Sequence, residues 1–472
     1  MILFLEEVLK ATGGRLLQGN IDLLFQGVST DSRTVREGDL FIALRGPRFD
    51  GHDFAMEALA KDATGVLIEE KRTDGFRFDR FRSRAVITVK ETLRALGDLG
   101  RQRRRKYDIP VVALTGSNGK TTTKEMISAC LEIAFPILKT KGNLNNLIGL
   151  PLTLLGLTGR EKVAVVEMGM NTPGEIGRLT EIAEPDVGLI TNIQMVHLEG
   201  LGSVERVKEE TGELFRRMKE NGTIVVNQND PRVVDLANTF PGKKITFAID
   251  GSADVMARAI RLRGQEGTSF TLEVGGQEME VVLPLVGRQF VPNALAAIAV
   301  ATHFGIEPIR AKEALEQVQP LSMRMEICPL PGGITVINDA YNANPRSMEM
   351  ALETLGEIKG GGRAIAVLGD MLELGAFSES AHRDLGQRVG ELGIDFLLAM
   401  GEHAATVAEA ALRHGLTRER ATVAKSHSEV RSILTGWIRR GDWVLIKGSR
   451  GMAMEKIAEG LCLRDPNREG RS

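Results

Sequence analysis

The 472 residues are too many for one hydrophobic core, and ordinary domain sizes divide them into about three units. The 60 Lys+Arg nearly cancel 62 Asp+Glu, and a formal net charge of -2 draws neither nucleic acid nor an anionic membrane surface, so any anion site must be local. Three scattered cysteines, Cys130, Cys328 and Cys462, offer no disulfide framework and no zinc site.

The chain opens with the apolar run Met1 to Leu5, which passes straight into Glu6 and Glu7 without the basic stretch of a signal peptide. Its longest apolar stretch, Leu147 to Leu157, contains Pro151 and is far shorter than a membrane span. A cytoplasmic location is expected, with no membrane and no nucleic acid among the partners.

Residues 1–84 mix short apolar runs with turn residues, as in Gly38 to Leu44 and the strand-like Gly65 to Ile68, and read as a small N-terminal α/β domain. A polar helix from about Lys90 to Lys106 follows. Its basic end, Arg101 with Arg103 to Lys106, reads as a solvated cluster favoured at a helix C-terminus. Within 85–318, strands at Ile109 to Leu114, Val163 to Val166, Val187 to Ile190 and Thr223 to Val226 alternate with helices, the pattern of a central P-loop-type parallel-sheet ATPase domain. Residues 245–286 read as a β-rich insert, closed by a helix from Asn293 to Ala301.

Residues 319–472 repeat the alternation, with strands at Ile334 to Asn338, Ala364 to Leu368, Phe396 to Met400 and Trp443 to Ile446. The expectation is a C-terminal Rossmann-like doubly wound domain, and the fold class is α/β throughout. No G-x-G-x-x-G follows the first of these strands, which excludes a dinucleotide cofactor of the usual kind. The tail from Arg464 to Ser472 reads as disordered.

The strongest chemical signal is Thr115-Gly116-Ser117-Asn118-Gly119-Lys120-Thr121-Thr122, placed between a strand and a helix. Glycines there let backbone N–H groups close on phosphate oxygens at a helix N-terminus. Lys120 supplies charge, and Thr121 can set its hydroxyl on magnesium. Leu114 stands where the common phosphate loop has its first glycine, so the motif is a variant. Glu167, at the end of Val163 to Val166, is placed to emerge beside the loop, and His197 follows the strand ending at Thr191-Asn192-Ile193.

This variant loop resembles that of the Mur ligase family, whose relatives include folylpolyglutamate synthase. The resemblance implies an ATP-dependent ligase, with Thr115 to Thr122 on the triphosphate and Thr121, Glu167 and His197 holding two magnesium ions. It implies catalytic roles for Lys120 and His197, and ATP contacts for Asn293, Arg324 and Asp339. Gln289 replaces a frequent histidine, and Met323, before Arg324, replaces a frequent glycine. Many members carry a carbamylated lysine where this chain has Thr211; threonine cannot hold a carbamate, so an altered metal shell is expected. Lys208, one turn earlier, reads as solvent-facing.

Gly142 to Pro151, Tyr341-Asn342-Ala343-Asn344-Pro345, Leu368 to Gly375 and Lys447 to Gly451 resemble the branch of the family that adds D-alanyl-D-alanine to UDP-N-acetylmuramoyl-tripeptide. That resemblance implies substrate contacts from Asn145, Asn146, Tyr341, Asn342 and Asn344. It also implies a uridine-nucleotide pocket built from Asp31-Ser32-Arg33 and from Asp50, Gly51 and His52. No Asp-Asn-Pro-Arg motif for diaminopimelate is present, and nothing demands more than a monomer. Another Mur ligase or a folylpolyglutamate synthase is the nearest alternative. A nucleic-acid-stimulated ATPase is the alternative of a different class, and it predicts salt-sensitive binding at the Arg101 to Lys106 cluster.

Overall fold

The computed structural model describes residues 2–74, 77–196 and 198–462. The tail expected to be disordered lies outside the described residues. The first unit is a five-stranded sheet in the spatial order Arg15–Gln18, Ala85–Val89, Gly65–Glu69, Asp39–Ile42, Gly27–Ser29, with all but the first strand parallel. Every residue of Gly65–Glu69 and Ala85–Val89 is buried, as expected of parallel strands covered on both faces. Ala85–Val89 belongs to this sheet, so the expected boundary at 84/85 is too early. The chain crosses to the next unit along the helix Thr92–Lys106.

That helix corrects a second expectation. Two of its basic residues are buried, Arg103 and Arg104 being 6% and 5% exposed, while Arg105 and Lys106 stay exposed. Arg103 Nε donates to the Leu157 carbonyl at 2.9 Å, Arg104 Nε to the Ala183 carbonyl at 3.0 Å, and Arg104 also reaches Asp186 at 3.0 Å. Arg101 and Arg105 both bond Glu184. The Arg103 and Arg104 guanidinium forks satisfy carbonyls left open at element ends and staple the helix to the central unit, while Arg105 and Lys106 pair with Glu184 and Glu7 at the surface.

The central unit is a nine-stranded sheet. Its seven parallel strands run Ile137–Lys139, Val163–Glu167, Val111–Thr115, Val187–Ile190, Thr223–Asn227, Lys243–Ile249, Val255–Leu262, and two antiparallel strands, Thr268–Val274 and Gln277–Leu283, extend the edge. The segment expected as an insert therefore continues the main sheet. Alternate residues of Val111–Thr115 face opposite layers: Val112 and Leu114 join Met126, Ile127 and the helix Val291–His303, while Val111 and Ala113 join Leu150, Leu154 and Ile176.

In the third unit the order is Glu326–Leu330, Ile334–Asp339, Trp443–Lys447, Ala364–Gly369, Phe396–Met400, Ala421–Ala424, with only the first strand antiparallel. Its buried Ile337, Ala343, Met348 and Leu445 belong to the same apolar cluster as Val112 and Leu295 of the central unit. Among the described residues no helix is long and apolar enough to cross a membrane.

Candidate active site

Residues 116–119 link the strand Val111–Thr115 to the helix Lys120–Glu132. Two left-handed glycines shape the loop. At Gly116 (φ 132°) an added Cβ would lie 2.2 Å from Thr191 Oγ1, and at Gly119 (φ 79°) it would lie 2.7 Å from Asn293 Oδ1. The neighbouring strand end braces the loop. Asn192 accepts from Asn118 N at 3.0 Å through its side chain and from Ser117 N at 2.9 Å through its carbonyl, while Thr191 Oγ1 donates to the Asn118 carbonyl at 2.7 Å. Lys120 Nζ folds back onto the Gly116 carbonyl at 2.6 Å. Burial lowers the Lys120 pKa, with Glu167 opposing and Arg324 adding to the effect.

Glu167 is 2% exposed and ends its strand beside Thr121, whose Oγ1 donates to Glu167 Oε1 at 3.3 Å. Asn145 Nδ2 donates to the same oxygen at 2.8 Å, and the buried Oε2 has no hydrogen-bond partner. An orphaned carboxylate oxygen next to a threonine hydroxyl is a hard-oxygen set that fits magnesium, an ion that retains several waters and needs few protein ligands. Among the described residues no group of three or more His, Cys, Asp or Glu side chains is placed to hold a metal ion. His197 lies outside the described residues. Thr211 is fully buried and its hydroxyl has no hydrogen-bond partner, while the Lys208 ammonium is engaged by Asp235.

The third unit closes over the loop. Arg324 Nη2 donates to Thr121 Oγ1 at 3.0 Å, and its guanidinium lies 4.0 Å from the Tyr341 ring centroid. Met323 has φ 59°, a conformation glycine adopts freely, which accounts for the glycine frequent there; Arg324 reaches the loop regardless. Asn118 and Asn344 exchange amide bonds across the boundary, Asn344 Nδ2 to Asn118 Oδ1 at 2.6 Å and Asn118 Nδ2 to Asn344 Oδ1 at 3.3 Å. Asp339 is held by Lys447 Nζ at 2.5 Å and accepts from Met325 N at 3.1 Å.

Two clefts flank this junction. One of about 230 Å³ is lined by Thr122, Glu125, Leu285, Phe290 and Arg324. The other, about 420 Å³, is lined by Val196, Asn342, Asn344, Leu372, Glu373 and Arg450. The exposed Asn146 uses its side-chain oxygen within the chain, accepting from Ile148 N and Gly149 N just ahead of the helix Gly149–Leu155.

Ser32 and Arg33, Asp50 to His52, and Arg72 follow the carboxyl ends of three adjacent parallel strands of the first sheet, the edge where open α/β sheets take ligands. His52 is a correction to the expected contacts: it is fully buried, its Nδ1 lies 2.5 Å from Asp50 Oδ1, and its Nε2 accepts from Glu69 N at 3.0 Å. Both ring nitrogens are used within the protein, so His52 orients Asp50. Arg72 also bonds Asp50, at 2.8 Å, and Arg33 pairs with Asp31. Burial alone would raise the Asp50 pKa, but bonds from His52 and the charge of Arg72 bring it below the usual value. Arg72 carries no local signature and was not singled out by the sequence; Asn192, Lys447 and Arg450 lie in segments the sequence marked, but no role was assigned to them.

A triphosphate loop on one wall and a second α/β unit closing across a cleft place this enzyme among the ATP-dependent ligases. The chain matches the Mur ligase family catalytic domain over residues 24–104, the Mur ligase middle domain over 114–301 and the Mur ligase glutamate ligase domain over 323–450. It belongs to the Mur ligase family. It is 36% identical to the UDP-N-acetylmuramoyl-tripeptide--D-alanyl-D-alanine ligase of Bacillus subtilis, over 93% of each chain. To the enzyme of the same name in Escherichia coli it is 35% identical, over 94% of this chain and 95% of that one. The crystal structure of MurF from Acinetobacter baumannii superposes with a TM-score of 0.89 at 32% identity, covering 98% of this chain and 99% of that chain. MurF ligase from Thermotoga maritima in complex with ADP gives a TM-score of 0.81 at 28% identity, over 94% and 98%. Folylpolyglutamate synthase of Mycobacterium tuberculosis, at 18% identity and a TM-score of 0.63, shares the fold alone.

Proposed function

We propose that this enzyme joins D-alanyl-D-alanine to UDP-N-acetylmuramoyl-tripeptide at the expense of ATP, through an acyl phosphate, as a cytoplasmic monomer. The observation that carries the reading is the junction at Asn118 and Asn344, where the phosphate loop meets the Asn-Ala-Asn-Pro loop of the third unit. The names of the full-length relatives point to the same substrates.

In this reading the backbone amides of Gly119 and of the first turn of the helix Lys120–Glu132, with the Lys120 ammonium, hold the β- and γ-phosphates, and Lys120 exchanges its loop carbonyls for phosphate oxygens. Thr121 and Glu167, with His197, would hold magnesium, which would supply Lewis-acid charge neutralisation at the γ-phosphate. Asn293 beside Gly119 and the smaller cleft take the nucleoside, with Asp339 and Arg324 across from it. Ser32, Arg33, Gly51 and the Asp50 that His52 orients take the uridine nucleotide. The tripeptide carboxylate attacks the γ-phosphorus and ADP leaves. The free amine of the dipeptide, held in the larger cleft by Asn342 and Asn344 with Tyr341 nearby against Arg324, then attacks the acyl carbon; phosphate departs and the amine loses a proton. Arg324 and Lys120 face the oxyanion formed in that step. The units divide near residues 90 and 318.

The test is phosphate release from ATP and magnesium with UDP-N-acetylmuramoyl-tripeptide, with and without D-alanyl-D-alanine, using Lys120→Ala as the blank. Release that needs both substrates and yields a pentapeptide by mass supports the assignment. Release with a folate acceptor instead, or none with any muramoyl acceptor, overturns it.

A further inference from the structure

Lys124 lies one turn beyond Lys120 on the same helix, yet it is 0% exposed. Lysines are almost never fully buried unless paired, because taking the ammonium out of water costs several kcal/mol. Here Nζ donates to the Thr140 carbonyl at 2.7 Å and pairs with Glu125 Oε1 at 2.9 Å. Thr140 in turn grips the strand that carries Glu167 at two points: its N–H donates to the Val165 carbonyl at 3.1 Å, and its Oγ1 accepts from Glu167 N at 3.0 Å. Five residues on, Asn145 donates to Glu167 Oε1 and its carbonyl accepts from Gly169 N at 2.8 Å. The loop between Thr140 and Asn145 thus holds Glu167 by backbone and by side chain, and Lys124 is the charged strut that fixes the loop to the phosphate-binding helix.

We propose that Lys124 is a positioning residue: through Thr140 it sets the Glu167 carboxylate against Thr121 so that the pair receives the magnesium of the bound nucleotide. The proposal rests on the reading of Glu167 and Thr121 as metal ligands. Groups that orient a metal-binding side chain typically change metal affinity about 10- to 100-fold when removed, because the ligand must be reordered on binding. Loss of Lys124 therefore weakens the magnesium-dependent part of nucleotide binding and spares the phosphate loop's own grip.

The experiment is calorimetric titration of ADP into the full chain, once with excess magnesium and once with EDTA. Lys124→Met is expected to lose about tenfold in ADP affinity with magnesium, to change little in EDTA, and to bind the uridine nucleotide as before. Thr140→Val, which removes the acceptor for Glu167 N but leaves the buried lysine alone, repeats the loss, and Thr140→Ser restores it; this pair carries the test if Lys124→Met fails to fold. Equal losses with and without magnesium, or no loss in either, overturn the positioning role. Magnesium-independent ADP binding by the unaltered enzyme overturns instead the assignment of Glu167 and Thr121, on which the proposal stands.

Discussion

Replacing Asn118 by alanine removes both amide bonds to Asn344 while the Asn118 backbone stays held by Thr191 and Asn192. Neutral hydrogen bonds contribute about 0.5–1.5 kcal/mol each, and the Asn344 amide left unpartnered at a largely buried site keeps the loss from the low end, so the interface should lose about 2–3 kcal/mol. If the contact is made in the closed, reacting enzyme, kcat/KM falls by roughly 30- to 150-fold, since 1.4 kcal/mol corresponds to a factor of ten. Asn344→Ala must do more. Asn344 also caps the helix Pro345–Ile358, its Oδ1 accepting from Ser347 N at 3.0 Å, and losing that cap costs about 1 kcal/mol of stability. Steady-state phosphate release and urea denaturation of both single variants and the double variant separate the two roles. The cycle should show coupling of about 1 kcal/mol or more in kcat/KM. Additive losses in kcat/KM would refute the view that the amide pair joins the two units during turnover.

Gly116→Ala places a Cβ 2.2 Å from Thr191 Oγ1 in a φ of 132°, so ATP affinity measured by calorimetry should drop more than about tenfold, with a lowered melting temperature. An unchanged affinity would show that the loop has room. Arg104→Met leaves the Ala183 carbonyl without its side-chain donor and takes one partner from Asp186, which keeps Val111 N; urea denaturation should show a loss of about 1–3 kcal/mol, with the KM for ATP unaltered. Burial alone would raise the Glu184 pKa, but bonds from Arg105 and Arg101 bring it below its ordinary 4.5. Its contribution to stability is therefore fully present above pH 4.5 and is lost as pH falls from there through the depressed value, so Glu184→Gln should flatten the acid limb of the melting curve. A limb as steep as before would contradict the pairing.

What the sequence made legible was local. Thr115 to Thr122 announces itself because a phosphate loop is one strand end, a few glycines and one helix start. The parallel strands stand out because both their faces are apolar. Contacts that depend on distant residues were not legible. Arg103 and Arg104 look solvated until the Leu157 and Ala183 carbonyls arrive beside them. His52 looks like a ligand residue until Glu69 N and Asp50 occupy its nitrogens. Nothing in the sequence pattern marks Lys124, and the partner of Asn118 lies 226 residues away. The boundary at 84/85 missed because Ala85–Val89 is as apolar as the central strands, and only its pairing with Gly65–Glu69 assigns it to the first sheet.

The central claim is that the tripeptide carboxylate is phosphorylated before the amine attacks. Its most direct test uses acceptor labelled with oxygen-18 in that carboxylate, followed by mass analysis of both products. The account predicts one labelled oxygen in the released phosphate and one retained in the new amide. Unlabelled phosphate, formed while pentapeptide accumulates, would contradict it.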